Sequence, residues 1–338
     1  MELPPQNTTS WKRCSNMSDK KAAMQTLAKF IKTHTQLVFL YAVLCGILIL
    51  ASVFSPYFRT SENLFNILAQ AVPLGLVAFG QTIVLLTAGV DLSVGGVMST
   101  ATALCAVIIQ PGAGYAWVVV AVLAVVAVGI GFGLLNGVSR THLGLPPFIA
   151  TLCTLMISQG IALAILPRPG GYIADHLMSF IAYEFGAFRL PVVYFFGVMI
   201  LLYVLLRYYP LGRCFYAIGG NPEAVKASGL AVNRIILHAH ILCSVLAAVG
   251  GLFLVARIKS GDPNVGTPFV LDSIVAALIG GTTFTGGRGG VIGTTAGVLI
   301  LALISNVLNM YSVNPFYQYI IKGLLFVVAI FAYSYKRR

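Results

Sequence analysis

The stretch AWVVVAVLAVVAVGIGFGLL, residues 116–135, runs for twenty positions without a charged, amide or hydroxyl side chain. About 20 such residues in a helix cross the ~30 Å of hydrocarbon in a bilayer. Ten apolar runs of this kind can be drawn: Leu37–Phe54, Leu64–Thr87, Leu92–Ile109, Ala116–Val138, Phe148–Leu166, Leu190–Leu206, Ile235–Ala256, Phe269–Thr285, Val291–Met310 and Phe316–Tyr335; the eighth, short and holding Asp272, Gly280 and Gly281, suits a full span or a broken or re-entrant helix. None alternates with the two-residue period of a barrel strand, so the spanning elements are helices. With 58% of residues hydrophobic and 9% charged, no soluble core could hide the apolar surface. The expected fold is an all-α membrane protein, a polytopic bundle of about ten spans. Ten spans divide into five and five, and an odd number per half makes an ancestral duplication an inverted repeat.

The net charge of +12 is a topology signal rather than a nucleic-acid footprint. With the N-terminus placed in the cytoplasm, fifteen Lys and Arg fall inside: six in the first 35 residues, Arg140, Arg207, Arg213, Lys226, Arg234, Arg288 and the terminal Lys336, Arg337 and Arg338. Five fall outside, Arg59, Arg168, Arg189, Arg257 and Lys259, and Lys322 lies within the last span. This is the positive-inside asymmetry. It predicts both termini in the cytoplasm, a tail over residues 1–35 and a membrane domain over 36–336 with a cytoplasmic loop at 207–234. The tail includes an amphipathic stretch around Leu27–Ile31. The six cysteines are scattered without a C-x-x-C pair and read as small buried hydrophobes. The outer connection from Pro167 to Arg189 suits a small cap or a solvated loop.

Within the 207–234 loop, FYAIGGNPEAVKASGLAVNRI carries the signals of one short helix. After Gly220, Asn221 suits the N-cap, Pro222 the first helical position, Glu223 the positive end of the dipole, and Gly229 the left-handed residue past the end. A helix of about seven residues is marginal alone and needs a surface to dock on. Small side chains such as Ala224 allow close approach, so the helix suits a knob in another protein's socket and equally a loop helix on the lipid surface. In LTAGVDLSVGG, Asp91 and Ser93 lie at the mouth of spans 2 and 3, where each could cap span 3 or serve a solute or proton site. Asp272 faces the same choice near the outer end of span 8, with Arg257, Lys259 or water as neighbours. The amides of Gln81, Asn136 and Gln159 need partners in hydrocarbon, as helix-to-helix ties or as the lining of a path for a hydroxylated solute. His238 and His240 face apart on a helix and read as packing residues. GGTTFTGGRGG, with Gly286 and Gly287, has no P-loop context. No catalytic or metal-ligating motif is present, so uphill transport draws on an ion gradient, through Asp91 or Asp272, or on another protein.

Four segments, LTAGVDLSVGGVMS, LPPFIATLCTLMISQGIA, RCFYAIGGNPEAVKASGLAVNRI and ALIGGTTFTGGRGGVIGT, resemble in order and spacing the signature stretches of the ribose-type permeases. These are membrane subunits of bacterial ABC importers for sugars and related solutes, including the autoinducer-2 branch. The resemblance implies an inner-membrane subunit that binds no cofactor itself. ATP and magnesium sit on separate cytoplasmic ATPase subunits, a periplasmic solute-binding protein delivers a sugar-like cargo, and a second permease copy or a sister permease completes the pore. NPEAVKASG resembles the coupling helix of such importers, which assigns ATPase coupling to Gly220, Asn221, Pro222, Glu223, Ala224 and Gly229; Val225 replaces an alanine of the family motif. The resemblance also makes GVDLSVGG and GGTTFTGGRGG structural or gating segments at the cytoplasmic side. The outer loop and the long N-terminal tail depart from the ribose-type pattern.

Overall fold

The computed structural model describes residues 35–110, 112–171, 173, 177, 184–185 and 188–335. The N-terminal tail, its amphipathic stretch and the three terminal basic residues lie outside the described residues, as does most of the outer loop after Gly171. The described chain forms twelve helices. They are α1 (Thr35–Phe54), α2 (Ser61–Leu86), α3 (Val94–Ile108), α4 (Tyr115–Thr141), α5 (Pro147–Ile165), α6 (Leu190–Tyr208), α7 (Pro210–Gly220), α8 (Pro222–Ala227), α9 (Val232–Ile258), α10 (Thr267–Ile279), α11 (Val291–Met310) and α12 (Pro315–Tyr335). A two-residue hairpin, β1 (Glu184–Phe185) on β2 (Phe188–Arg189), precedes α6.

Every apolar run became a helix, and among the described residues seven helices are long and apolar enough to cross a membrane. α2 is the central element, with 83% of its most apolar stretch buried, against 17% for α1 and α6. α9 packs on α2, α3 and α4, and α11 packs on α2 and α10. The outer helices turn large side chains such as Leu123, Met156 and Leu201 outward, as lipid-facing surfaces do. Close approach of α4 to α9 follows from composition. A methyl group on Gly129, Gly133 or Gly137 would meet the α9 backbone at Val245, Ile241 or Leu237, the small-residue contact that holds helices together in lipid.

The structure corrects the boundaries of two spans. α3 has 15 residues and α10 has 13, too few to cross alone. Each follows a polar segment that dips into the bundle before the helix begins. The face that carries α8 also carries the end of α2, the 280–290 loop and the start of α1, where Gln36 lies against Gly281. The chain 259–266 starts at the opposite face, where Gly261 and Gly170 exchange backbone hydrogen bonds of 2.9 and 3.0 Å. It returns inward along α3, with Thr102 Oγ1 donating to Asp262 O at 2.8 Å and Gly266 N to Ser99 Oγ at 3.0 Å. α10 therefore begins inside the bundle. α7 was not expected from the sequence, because its glycines and Pro210 read as loop.

Candidate functional site

α8 forms as its residues dictate. Asn221 sits in extended geometry at φ −159°, and its side chain accepts from Ala224 N at 3.0 Å. Pro222 opens the helix and Gly229 takes φ +80° past its end. Six residues cannot hold as a helix in isolation, and α8 is seated on the bundle by Val225, its one buried side chain. Glu223, Ala224 and Lys226 remain exposed.

α7 joins this helix to the interior. Its Phe215 and Ile218 are buried, and its last turn meets both glycine-rich segments at once. A methyl group on Gly219 would strike Leu86 O and Gly287 N, and one on Gly286 would strike Gly219 and Ala88. Gly287 N donates to Leu86 O at 3.0 Å. Gly286 and Gly287 adopt φ +78° and +70°, which side-chain-bearing residues rarely do. Only glycine satisfies both the conformation and the contact. Tyr216 Oη donates to Gly289 O at 3.0 Å. Burial pushes this hydroxyl's pKa above its ordinary value, against the opposing charge of Arg207, and so preserves the donor. Arg140 fastens the same corner, donating to Thr87 O at 2.7 Å and to Thr87 Oγ1 at 3.1 Å. A methyl group on Gly220 would meet nothing.

One turn further in lies Asp91, fully buried. Its Oδ1 accepts from Ser93 N at 2.9 Å and Ser93 Oγ at 2.6 Å. Asn136 Nδ2 lies 3.3 and 3.2 Å from the two carboxylate oxygens and donates to Ser93 Oγ at 2.8 Å. His240 Nδ1 stands 3.4 Å from Oδ2. Gln81, in the amide orientation that pairs donor with acceptor, bonds both Asp91 O (3.0 Å) and Asp91 N (3.2 Å). The network ties the 87–93 turn to α2, α4 and α9. It also corrects two expectations. Asp91 lies within the bundle rather than at its mouth. Ser93 makes no side-chain cap on α3, because its hydroxyl is committed to Asp91.

Gln159 sits apart, on the far side of the bundle. Its Nε2 donates to Pro263 O at 2.7 Å and Asn264 Oδ1 at 3.0 Å, holding the segment before α10. Asp272 does not meet Arg257 or Lys259 near an outer end. It lies midway along α10 and accepts from Lys322 Nζ of α12 at 2.6 Å, because α10 starts deep and turns this residue toward α12. The structure thus brings Gln81, Asp91, Ser93 and Asn136 into one cluster. It sets Gly286 and Gly287 directly beneath the loop that holds Gly220 to Gly229, and leaves Gln159 elsewhere. Sequence reading missed His240, whose partner is 149 positions away, and Asp262. The signal for Asp262 was present as a second D-x-x-V-G.

Residues 63–330 match the family model described as branched-chain amino acid transport system / permease component. The chain is similar to the ribose import permease protein of Bacillus subtilis (strain 168), at 35% identity over 294 residues, covering 84% of this chain and 88% of that protein. It is similar to the ribose import permease protein of Escherichia coli (strain K12), at 36% over 292 residues, covering 83% and 88%. It is also similar to the galactose/methyl galactoside import permease protein of that strain, at 34% over 321 residues, covering 88% and 95%. No solved structure matches the chain.

Proposed function

The chain belongs to the branched-chain amino acid transport system / permease component family, and from that premise we propose that it is the membrane-spanning subunit of an ABC importer for a sugar or a related small solute. The relatives' names supply the solute class. The observation that carries the mechanism is the unbroken path from α8 through α7 to Gly219, Gly286 and Leu86, and on to the Asp91 turn. A separate ATPase that grips the exposed face of α8 moves α7. Because the glycine junction has no slack for a side chain, that movement reaches the 87–93 turn and the starts of α3 and α11.

In this reading the α8 face is cytoplasmic, both termini lie on it, and the protein is a multi-pass subunit of the bacterial inner membrane. A periplasmic solute-binding protein docks on the opposite face, and a second permease copy or a sister permease completes the pore. ATP and magnesium belong to the ATPase subunits. The gradient-driven alternative through Asp91 or Asp272 requires that carboxylate to be open to an ion or to cargo. Asp272 is engaged by Lys322 and Asp91 by Ser93 and Asn136, which favours the importer.

Solute uptake by cells carrying Gly229→Val or Glu223→Lys tests the assignment. The expected outcome is membrane insertion at the normal level with uptake lost. Normal uptake with both substitutions would rule out α8 as the coupling element.

A further inference from the structure

The turns that open α3 and α10 are two copies of one device. Asp91-Leu-Ser-Val-Gly95 and Asp262-Pro-Asn-Val-Gly266 share the pattern D-x-x-V-G, and the likeness continues in three dimensions at one constant offset. Ala88 and Lys259, three residues before each Asp, are left-handed at φ 55° and 57°. Asp91 Oδ1 accepts from Ser93 N at 2.9 Å, and Asp262 Oδ1 accepts from Asn264 N at 2.8 Å. Further on, Thr102 Oγ1 donates to Ser99 O and Ser273 Oγ to Val270 O, at matching positions. The preceding helices α2 and α9 run in opposite directions through the bundle, so the copies are inverted. They meet where a methyl group on Gly95 or on Gly266 would strike the other's carbonyl oxygen. Each is clasped by a glutamine, Gln81 on Asp91 and Gln159 on the Pro263–Asn264 segment.

Their surroundings differ. Asp91 and Ser93 are wholly buried, whereas Asp262 is partly accessible and Asn264 is exposed. Two copies with one local structure and unequal burial, related by inversion, are the arrangement in which a carrier reaches its other state by exchanging the environments of the copies. We infer that Asp91 and Asp262 are paired positioning residues, each holding one gate of the solute path, and that transport exchanges their exposure. The present structure is the state with the Asp91 gate sealed and the Asp262 gate open; the opposite state reverses this. The inference rests on the importer reading.

The test uses the complete transporter in oriented membrane vesicles, with the six native cysteines replaced by alanine in a chain that still transports. Ser93→Cys and Asn264→Cys are introduced singly, and a membrane-impermeant thiosulfonate is applied from either side, without nucleotide and after trapping with ATP and vanadate. In one state position 264 should label from the outer side faster than position 93 labels from the α8 side, and in the other state the order should reverse. The same order of rates in both states, in a complex that takes up solute, overturns the inference and leaves the importer reading intact. Absence of ATP-driven uptake by the wild-type complex overturns both. Independently, Asp262→Asn preserves the acceptor for Asn264 N and should retain the reversal, while Asp262→Ala should lose it. Equal behaviour of these two variants also overturns the proposal.

Discussion

Asp91 illustrates how a charged residue is kept inside an apolar bundle. Ser93, Asn136 and the backbone amide of residue 93 supply donors to its carboxylate, and a buried donor stripped of its acceptor costs about 1–3 kcal/mol. Asp91→Ala strands the Ser93 amide and the Asn136 amide together, while Asp91→Asn retains an acceptor for residue 93. Thermal unfolding in detergent should therefore show the larger fall in midpoint for Ala, and equal falls would contradict the network. The Asp272–Lys322 pair gives a second case. Their side chains are only 14% and 20% exposed, and breaking a buried pair costs about 3–5 kcal/mol whereas an apolar replacement of both partners is near neutral. Lys322→Met alone should destabilise the protein clearly, and adding Asp272→Leu should restore most of the loss. A double variant no better than the single one would show that the pair does not act as a unit. The distant partners, Asn136 and Lys322, were not legible in the sequence. Aspartates in hydrocarbon announce that partners exist, but the contacts span 45 and 50 positions and depend on which helix faces which.

At the scale of elements, apolar runs and cap residues carried nearly all the information. The spans follow from hydrophobic length. The short helix α8 follows from Asn221, Pro222 and Gly229, whose cap bond and left-handed φ the structure contains. What the sequence concealed were helices built against local propensity. α7 is held by Phe215 and Ile218 rather than by helix-forming residues. α3 and α10 are shortened because the chain before each is fastened by side chains of distant helices. The α8 cap gives a graded test. Asn221→Ala removes a side-chain acceptor worth about 1 kcal/mol, a large loss for six residues. Its solute uptake should fall while its abundance in the membrane stays normal; undiminished uptake would mean that α8 is ordered by something other than its cap. The glycine junction gives a sharper one. Gly219→Val forces a side chain into the Leu86 carbonyl and the Gly287 amide. Limited proteolysis should then cut the 280–290 loop faster than in the wild type, and an unchanged rate would contradict a closely fitted junction.

For the whole molecule, the α8 face and the opposite face are linked by the same elements. α2 ends at the glycine junction, Gln81 on α2 bonds the Asp91 turn, and α3 runs from that turn along the chain that leads into α10. A displacement of α8 therefore has a contiguous route to both polar turns, through contacts with no spare volume. The identity of the solute was not legible, since the amides that could have lined its path, Gln81, Asn136 and Gln159, bond protein partners instead. A separate ATPase that drives this chain through α8 should stay with it through purification. The most direct measurement is affinity purification of the tagged chain from its own membranes, wild type beside Gly229→Val, with ATP hydrolysis assayed in each eluate. Drive through α8 predicts that ATPase activity accompanies the wild-type chain and is lost from the variant at equal recovery of the chain. ATPase activity of the same size in both eluates, or none with the wild type, would contradict it.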